Sequence, residues 1–263
     1  SRLLGKNQED EARKVSAFSL YLGIFVSAVF SVGTAVFMRP LLEMLGAGEN
    51  TYQYASQYAM CVIVFGGIPT VLSNVLSNLI RSIGRSREAG AGIVLGGVLN
   101  IVLDPVFMFL LLPDGYEVLG AGIATCLSNC TACLFFIVVL IRMRGQSVIT
   151  FSLKRGMPSK TSILAVFGVG IPSAIATFLF DLDYVIIDKL MVSYHDLALA
   201  AIGIVLKVER FPLNVGIGIC QGILPLVAYN YAAGNQKRMN DTIRLSRRLG
   251  LGIAAVSIIL YEI

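Results

Sequence analysis

Long apolar runs, broken by short polar stretches, dominate the chain. Runs of spanning length cover Val15–Met38, Tyr54–Ile80, Glu88–Leu112, Glu117–Ile141, Thr161–Val192 and Leu197–Tyr231, and a further run opens at Leu249. Each of the first six exceeds the roughly 20 residues that an α-helix needs to cross a bilayer. A transmembrane barrel would instead show alternating segments of about ten residues, and the unbroken Leu134–Ile141 stretch excludes that pattern. The reading is seven membrane helices, the seventh cut short by the chain end.

Composition agrees with this assignment. Hydrophobic residues make up 56% of the 263 positions, charged residues 14%, and the mean hydropathy is +0.78, outside the range of ordinary globular or disordered chains. The net charge of +5 follows from topology. Basic residues crowd alternate connections: Arg2, Lys6, Arg13 and Lys14; Arg81, Arg85 and Arg87; Arg142, Arg144, Lys154, Arg155 and Lys160; Lys237, Arg238, Arg244, Arg247 and Arg248. The connections between them hold only Arg39. By the positive-inside rule the basic loops are cytoplasmic, and the Leu41–Asn50, Pro113–Tyr116 and Ser193–Asp196 turns face out. No basic patch with interleaved aromatics points to nucleic acid.

One ionisable residue stands out inside an apolar run. Asp104 lies in the third run, four residues after Asn100, so the two polar side chains share a helix face. A carboxylate at that depth costs about 2.5–3.5 kcal/mol on insertion scales unless it has a partner or a task. Pro105 follows and brings no N–H for the carbonyl of Ile101. A carboxylate, an amide and a loosened carbonyl together fit a proton or small-cation site, sodium included. The alternative for Asp104 is a carboxylate that caps the break at Pro105. The fifth and sixth runs carry further charge: Asp181, Asp183, Asp188 and Lys189, then Lys207, Glu209 and Arg210. Lys207 and Glu209 either pair with Asp181 or Asp183 across a cavity or contact a substrate, and Asp188-Lys189 reads as an interfacial pair. Ser73, Asn74, Ser77 and Asn78 form a polar stripe that lines a cavity or bonds neighbouring helices.

Other chemistry is thinly represented. The five cysteines all fall in apolar runs and read as small packing residues; Cys130-Thr-Ala-Cys133 has no second pair for zinc. The single histidine, His195, sits in an outer turn, and no Ser-His or His-Glu-x-x-His arrangement supports a membrane enzyme. Prolines 69, 105, 172, 212 and 225 interrupt runs, with Pro105 and Pro172 as the hinge candidates, and Gly92-x-x-x-Gly96 and Gly218-x-x-x-Gly222 suit close helix contact. Gly5-Lys-Asn7-Gln8 with Leu22-Gly23-Ile24 returns as Gly234-Asn235-Gln236 with Leu251-Gly252-Ile253, an offset of about 229 residues with six helices between the copies. Parallel six-helix repeats then imply a twelve-helix parent, of which this chain is an excerpt.

Several motifs resemble the multidrug and toxic compound extrusion (MATE) family. They are Asn100-Ile-Val-Leu-Asp104-Pro105, Leu119-Gly-Ala-Gly-Ile-Ala-Thr125, Gly170-Ile-Pro-Ser173, Ala200-Ala-Ile-Gly-Ile204 and Gln221-Gly-Ile-Leu-Pro225 with Tyr229-Asn230-Tyr231. The resemblance implies an all-α, two-lobed bundle of twelve helices, of which this chain holds about seven. On that register residues 1–141 belong to the N-lobe, 142–160 to a cytoplasmic linker and 161–263 to the C-lobe. It also implies a proton- or sodium-coupled antiporter in the plasma membrane of a bacterium, exporting organic, usually cationic compounds, with no cofactor and no obligate protein partner. The family's N-lobe cation site falls on Asn100, Asp104 and Thr125. The family's C-lobe carboxylate falls at Phe180, one residue before Asp181, and Asp181, Asp183, Lys207 and Glu209 are the candidate cavity residues. A lipid-linked-sugar flippase of the same wider superfamily is the rival reading; it needs a cationic cavity, whereas the intramembrane charges here include Asp104, Asp181, Asp183 and Glu209 against Lys207 and Arg210.

The charge pattern makes a topological prediction. Single cysteines at Lys154 and Asp114, in a cysteine-free background of the full-length protein, are labelled by an impermeant thiol reagent from opposite sides of the membrane. Labelling of both from one side would overturn the orientation.

Overall fold

A computed structural model describes residues 1–143, 147–152, 156–192 and 196–262, without the side chains at 188, 189, 191–202, 204 and 207. Helices carry nearly all of it, because a backbone in hydrocarbon must satisfy its N–H and C=O groups within its own segment. In order they are α1 (Arg2–Gly5), α2 (Glu9–Val36), α3 (Met38–Met44), α4 (Glu49–Ala59), α5 (Gly67–Ser82), α6 (Ser86–Pro105), α7 (Glu117–Arg142), α8 (Lys160–Val192), α9 (Asp196–Ala232) and α10 (Gln236–Glu262). Two π-helical stretches, Met60–Phe65 and Val106–Leu111, prolong α4 and α6.

Among the described residues five helices are long and apolar enough to cross a membrane, and a sixth span forms if α4 and α5 count as one helix bent by 49°. The chain is therefore a multi-pass membrane protein. The seventh run differs from expectation in an instructive way. Its helix begins at Gln236, well before Leu249, and its first half carries Lys237, Arg238, Arg244, Arg247 and Arg248, so no apolar window of spanning length fits before the end. The outer turn expected at Leu41–Asn50 is also partly helical, since α3 continues from α2 after a change of direction at Phe37.

Glu9–Met157 form one compact unit. Its core joins Leu20 of α2, Leu76 and Ile80 of α5, Ala89 of α6 and Phe136 and Leu140 of α7, with Ile149 packed against it. That last contact shows how the segment after α7 is held: Ser16 Oγ lies 3.2 Å from the Val148 carbonyl, and the Tyr21 hydroxyl donates to the Phe151 carbonyl at 2.9 Å. Gly92 and Gly96 let α6 lie against α7. A Cβ at Gly92 would overlap the Phe136 ring, and one at Gly96 would stand 3.1 Å from the Ala132 methyl carbon. Gly218 and Gly222 have open space instead. Cys133 is buried, Cys61, Cys126 and Cys130 are partly so, and Cys220 is exposed on α9, outside the packing position expected of it; all five are free thiols.

Ser1–Gln8 and Pro158–Ile263 form a second unit. Here α1, which carries Gly5 of the first repeat copy, lies against the end of α9, just before the second copy: a Cβ on Gly5 would lie 2.5 Å from the Tyr229 carbonyl oxygen. The turns that follow are alike. Gln8 N–H bonds the Leu3 carbonyl at 2.9 Å and Asn7 has φ 56°, while Asn235 N–H bonds the Asn230 carbonyl at 2.8 Å and Gly234 has φ 75°. These are Schellman-type helix ends. They align Asn7 with Gly234, so the turns lie two residues off the register of the Gly5–Gly234 match. Asn7 tolerates a left-handed φ that most side chains resist, which is why glycine in one copy is replaced by asparagine in the other.

Gly92→Val in the full-length protein should cost about 1–3 kcal/mol through overpacking against Phe136, whereas Gly97→Ala, with nothing within 4 Å, should be tolerated. Thermal unfolding in detergent reads the difference. Equal midpoints for the two variants would contradict this packing.

Candidate functional site

The three residues expected to bind a cation come together between α6 and α7. Asn100 and Asp104 stand one turn apart on α6, and the Asn100 amide Nδ2 donates to Asp104 Oδ1 at 3.0 Å. The same amide lies 3.4 Å from the Thr125 Oγ1 of α7. All three side chains are partly buried. The glycines of α7 make the approach feasible: at Gly120 a Cβ would meet the Phe107 carbonyl carbon at 2.8 Å, so only glycine allows the backbone after Pro105 to lie this close to the helix bearing Thr125.

The backbone at Asp104 departs from a regular α-helix. Pro105 has no N–H, the Val106 N–H turns back to the Leu103 carbonyl, and the chain then winds as a π-helix through Leu111. Such insertions arise where the usual hydrogen-bond ladder is broken, and they frequently mark functional positions. The arrangement brings a carboxylate and a hydroxyl within reach of one amide nitrogen. Oxygen donors of this kind suit a hard monovalent cation or a proton.

A second polar link lies one turn further along α7 and was missed in the sequence. Asn129 Nδ2 donates to Thr70 Oγ1 of α5 at 2.9 Å, and Thr70 Oγ1 donates to the Gly66 carbonyl at 2.7 Å. Gly66 is the bend between α4 and α5, and there Ser31 of α2 donates to the Ile63 carbonyl at 2.8 Å. Ser31 and Thr70 therefore add side-chain hydrogen bonds to backbone carbonyls at the bend, and Asn129 ties α7 to Thr70. The signal was present: Gly66-Gly67-Ile68-Pro69 interrupts an apolar run, and Asn129 shares a face with Thr125. Of the Ser73, Asn74, Ser77, Asn78 stripe, Asn74 and Asn78 are exposed, and the bonds of three members stay inside their own helix instead of reaching a neighbour. Asn74 and Asn78 donate to the carbonyls of Thr70 and Asn74 at 2.9 and 3.0 Å, and Ser73 donates to that of Thr70 at 2.9 Å, all within α5. Bonding back to the i−3 or i−4 carbonyl satisfies a polar side chain locally, with no neighbour required.

In the second unit Asp181, Asp183, Glu209 and Arg210 are exposed. Among the described residues no ion pair joins the aspartates to Glu209's neighbour Arg210, whose guanidinium stacks on the Tyr184 ring, 4.4 Å from its centroid. The Lys207 side chain lies outside the described residues, as do those of Asp188 and Lys189. Pro172 lies inside α8, which continues through it, and Pro212 and Pro225 lie inside α9. Among the described residues no group of three or more His, Cys, Asp or Glu is placed to hold a metal ion.

Comparison with known proteins places this geometry in a lineage. The MatE family model matches residues 1–106 and 172–263. The multidrug export protein MepA of Staphylococcus aureus is 32% identical over 247 residues, covering 93% of this chain and 52% of MepA. The chain thus spans about half the length of the curated relatives it matches. Two solved structures share its fold at 22% identity and a TM-score of 0.87, each covering 99% of this chain and 57% of the other. One is an outward-facing multidrug resistance transporter of the MOP superfamily. The other is a MOP superfamily transporter from Pyrococcus furiosus whose binding pocket has reversed polarity, described as suggesting a different function.

The Asn129–Thr70 bond is testable by a double-mutant cycle in the full-length protein. Thr70→Val and Asn129→Leu should show a coupling of about 0.6 kcal/mol, the average for hydrogen bonds between membrane helices, measured by unfolding in detergent. Strict additivity would mean the bond contributes nothing.

Proposed function

Because the chain belongs to the MatE family, we propose that the full-length protein is a cation-coupled antiporter that exports organic, mainly cationic compounds by alternating access. The observation that carries this reading is the Asn100–Asp104–Thr125 constellation. An intramembrane carboxylate is costly to keep without a task, and binding of a proton or sodium ion is the step that neutralises it. The Asn100 amide bonds Asp104 Oδ1 and reaches Thr125 on the next helix, and the π-helical turn after Pro105 gives the helix a place to change geometry when that charge disappears. A ligand shifts such an equilibrium only through its different affinity for the two states. The charge on Asp104 supplies that difference.

The cycle then runs as exchange. A cation from outside loads at Asp104, the organic compound leaves, and the neutralised protein returns to the inward-facing state. Residues 1–141 and 161–263 supply parts of the two lobes, 142–160 is the connection between them, and Pro172 is a second bending point. The excess of intramembrane carboxylates, Asp104, Asp181, Asp183 and Glu209, over Lys207 and Arg210 favours cationic cargo over a pyrophosphate-linked sugar. The staphylococcal relatives support a bacterial plasma membrane as the location.

Asp104→Asn mimics the neutral state permanently. In proteoliposomes containing the full-length protein it should abolish coupled efflux of a radiolabelled organic cation while leaving expression intact. Asn100→Ala removes the hydrogen bond that positions the Asp104 carboxylate and no charge, so it should alter the cation dependence of efflux more mildly than Asp104→Asn. Wild-type efflux by Asp104→Asn, with unchanged pH and sodium dependence, would sink the assignment.

A further inference from the structure

The second unit contains an aromatic surface that already holds a positive charge. Phe180 and Tyr184 of α8 stack edge to face, with centroids 5.4 Å apart and planes at 73°. At about 100° per residue, Asp183 falls to one side of this pair and Asp181 to the other, roughly 60° from the nearer ring in each case. Arg210 of α9 covers the Tyr184 face, its guanidinium carbon 4.4 Å from the ring centroid. Tyr184 lies within the apolar span Lys160–Ile187 and Arg210 within Val208–Ala232.

Exposed charges at that depth are costly against lipid, so Asp181, Asp183, Glu209 and Arg210 require an aqueous cavity or protein around them. A π-face flanked by two carboxylates is the chemistry that recognises an organic cation: the ring quadrupole attracts the charge, the ring edge accommodates apolar substituents, and the carboxylates add a negative field. One ring face accepts one cation. We propose that Phe180 and Tyr184, flanked by Asp181 and Asp183, form an organic-cation subsite, and that Arg210 is its tethered competitor, displaced when substrate binds. Arg210 is then a specificity-determining residue. It sets a threshold that weakly binding cations fail to cross, and it keeps the ring covered when the cavity holds no cargo.

The subsite rests on the transport reading above, and the test separates the two. Binding of tetraphenylphosphonium to the purified full-length protein is measured by calorimetry. Arg210→Gln removes the competitor and should tighten binding about three- to tenfold, the range expected for one cation–π contact. Arg210→Lys, which keeps the charge, should stay close to wild type and shows that the position tolerates substitution. Tyr184→Leu should weaken binding, and in that background Arg210→Gln should no longer tighten it. Unchanged or weaker binding by Arg210→Gln, with wild-type protein binding normally, overturns the subsite alone. A wild-type protein that binds no tetraphenylphosphonium overturns the subsite together with the proposal of cationic cargo.

Discussion

Backbone hydrogen bonding in an apolar solvent is the constraint on which the rest of this structure depends. Each N–H and C=O left unsatisfied in hydrocarbon costs several kcal/mol, so the chain winds into helices nearly everywhere, and the exceptions carry information. There are two principal breaks in the first unit, at Gly66 and after Pro105, and each adjoins a π-helical stretch. At the Gly66 bend Ser31 and Thr70 bond the Ile63 and Gly66 carbonyls, and Asn129 bonds Thr70. After Pro105 the Val106 N–H turns back to the Leu103 carbonyl, one residue from Asp104, which accepts from the Asn100 amide. One break is braced by side chains of neighbouring helices. The other lies beside the intramembrane carboxylate.

The same constraint explains the glycines that matter. Gly92 and Gly96 bring α6 against Phe136 and Ala132, and Gly120 lets the Phe107 carbonyl approach α7. Without these approaches Thr125 would stand too far from Asn100 to share its amide, because a helix pair separated by ordinary side chains keeps axes 8–10 Å apart. Packing and site geometry are therefore one requirement. A substitution at Gly120 acts on the polar site through backbone position, although it removes no polar atom.

Legibility from sequence varied with how locally each feature is determined. Asp104 and Asn100 were legible together because a charge in an apolar run is conspicuous and one helical turn fixes their relation, whereas Thr125 came from the family resemblance alone. The Thr70–Asn129 bond was not found, since its partners lie 59 residues apart and each alone looks like a polar residue satisfied by its own helix. Asn74 and Asn78 show the reverse, as their local bonds made the expected contacts to other helices unnecessary. The start of the last helix was misjudged because hydropathy reports the solvent around a helix, and Gln236–Leu249 is helical while strongly charged. Arg210 was recognised as an intramembrane charge, but no partner was assigned to it. A guanidinium also stacks on an aromatic face, and charge patterning along a sequence does not register that option.

The two units handle intramembrane charge by different means, and this bears on how coupling could operate. In the first unit Asp104 accepts from the Asn100 amide, which also lies 3.4 Å from the Thr125 hydroxyl of the neighbouring helix, and on the proposed reading ion binding at Asp104 acts on that helix pair directly. In the second, Arg210 is balanced by an aromatic face, a softer and less directional contact that a ligand with the same chemistry can replace. On the proposed reading the coupling ion and the cargo therefore need not compete for one carboxylate. Exchange then depends on linkage between separate sites, which is reciprocal: if cation binding at Asp104 lowers affinity for cargo, cargo lowers affinity for the cation by the same factor. An antiporter of this kind needs only that both ligands favour opposite members of one pair of conformations, and the break after Pro105 is where the first unit can register that choice.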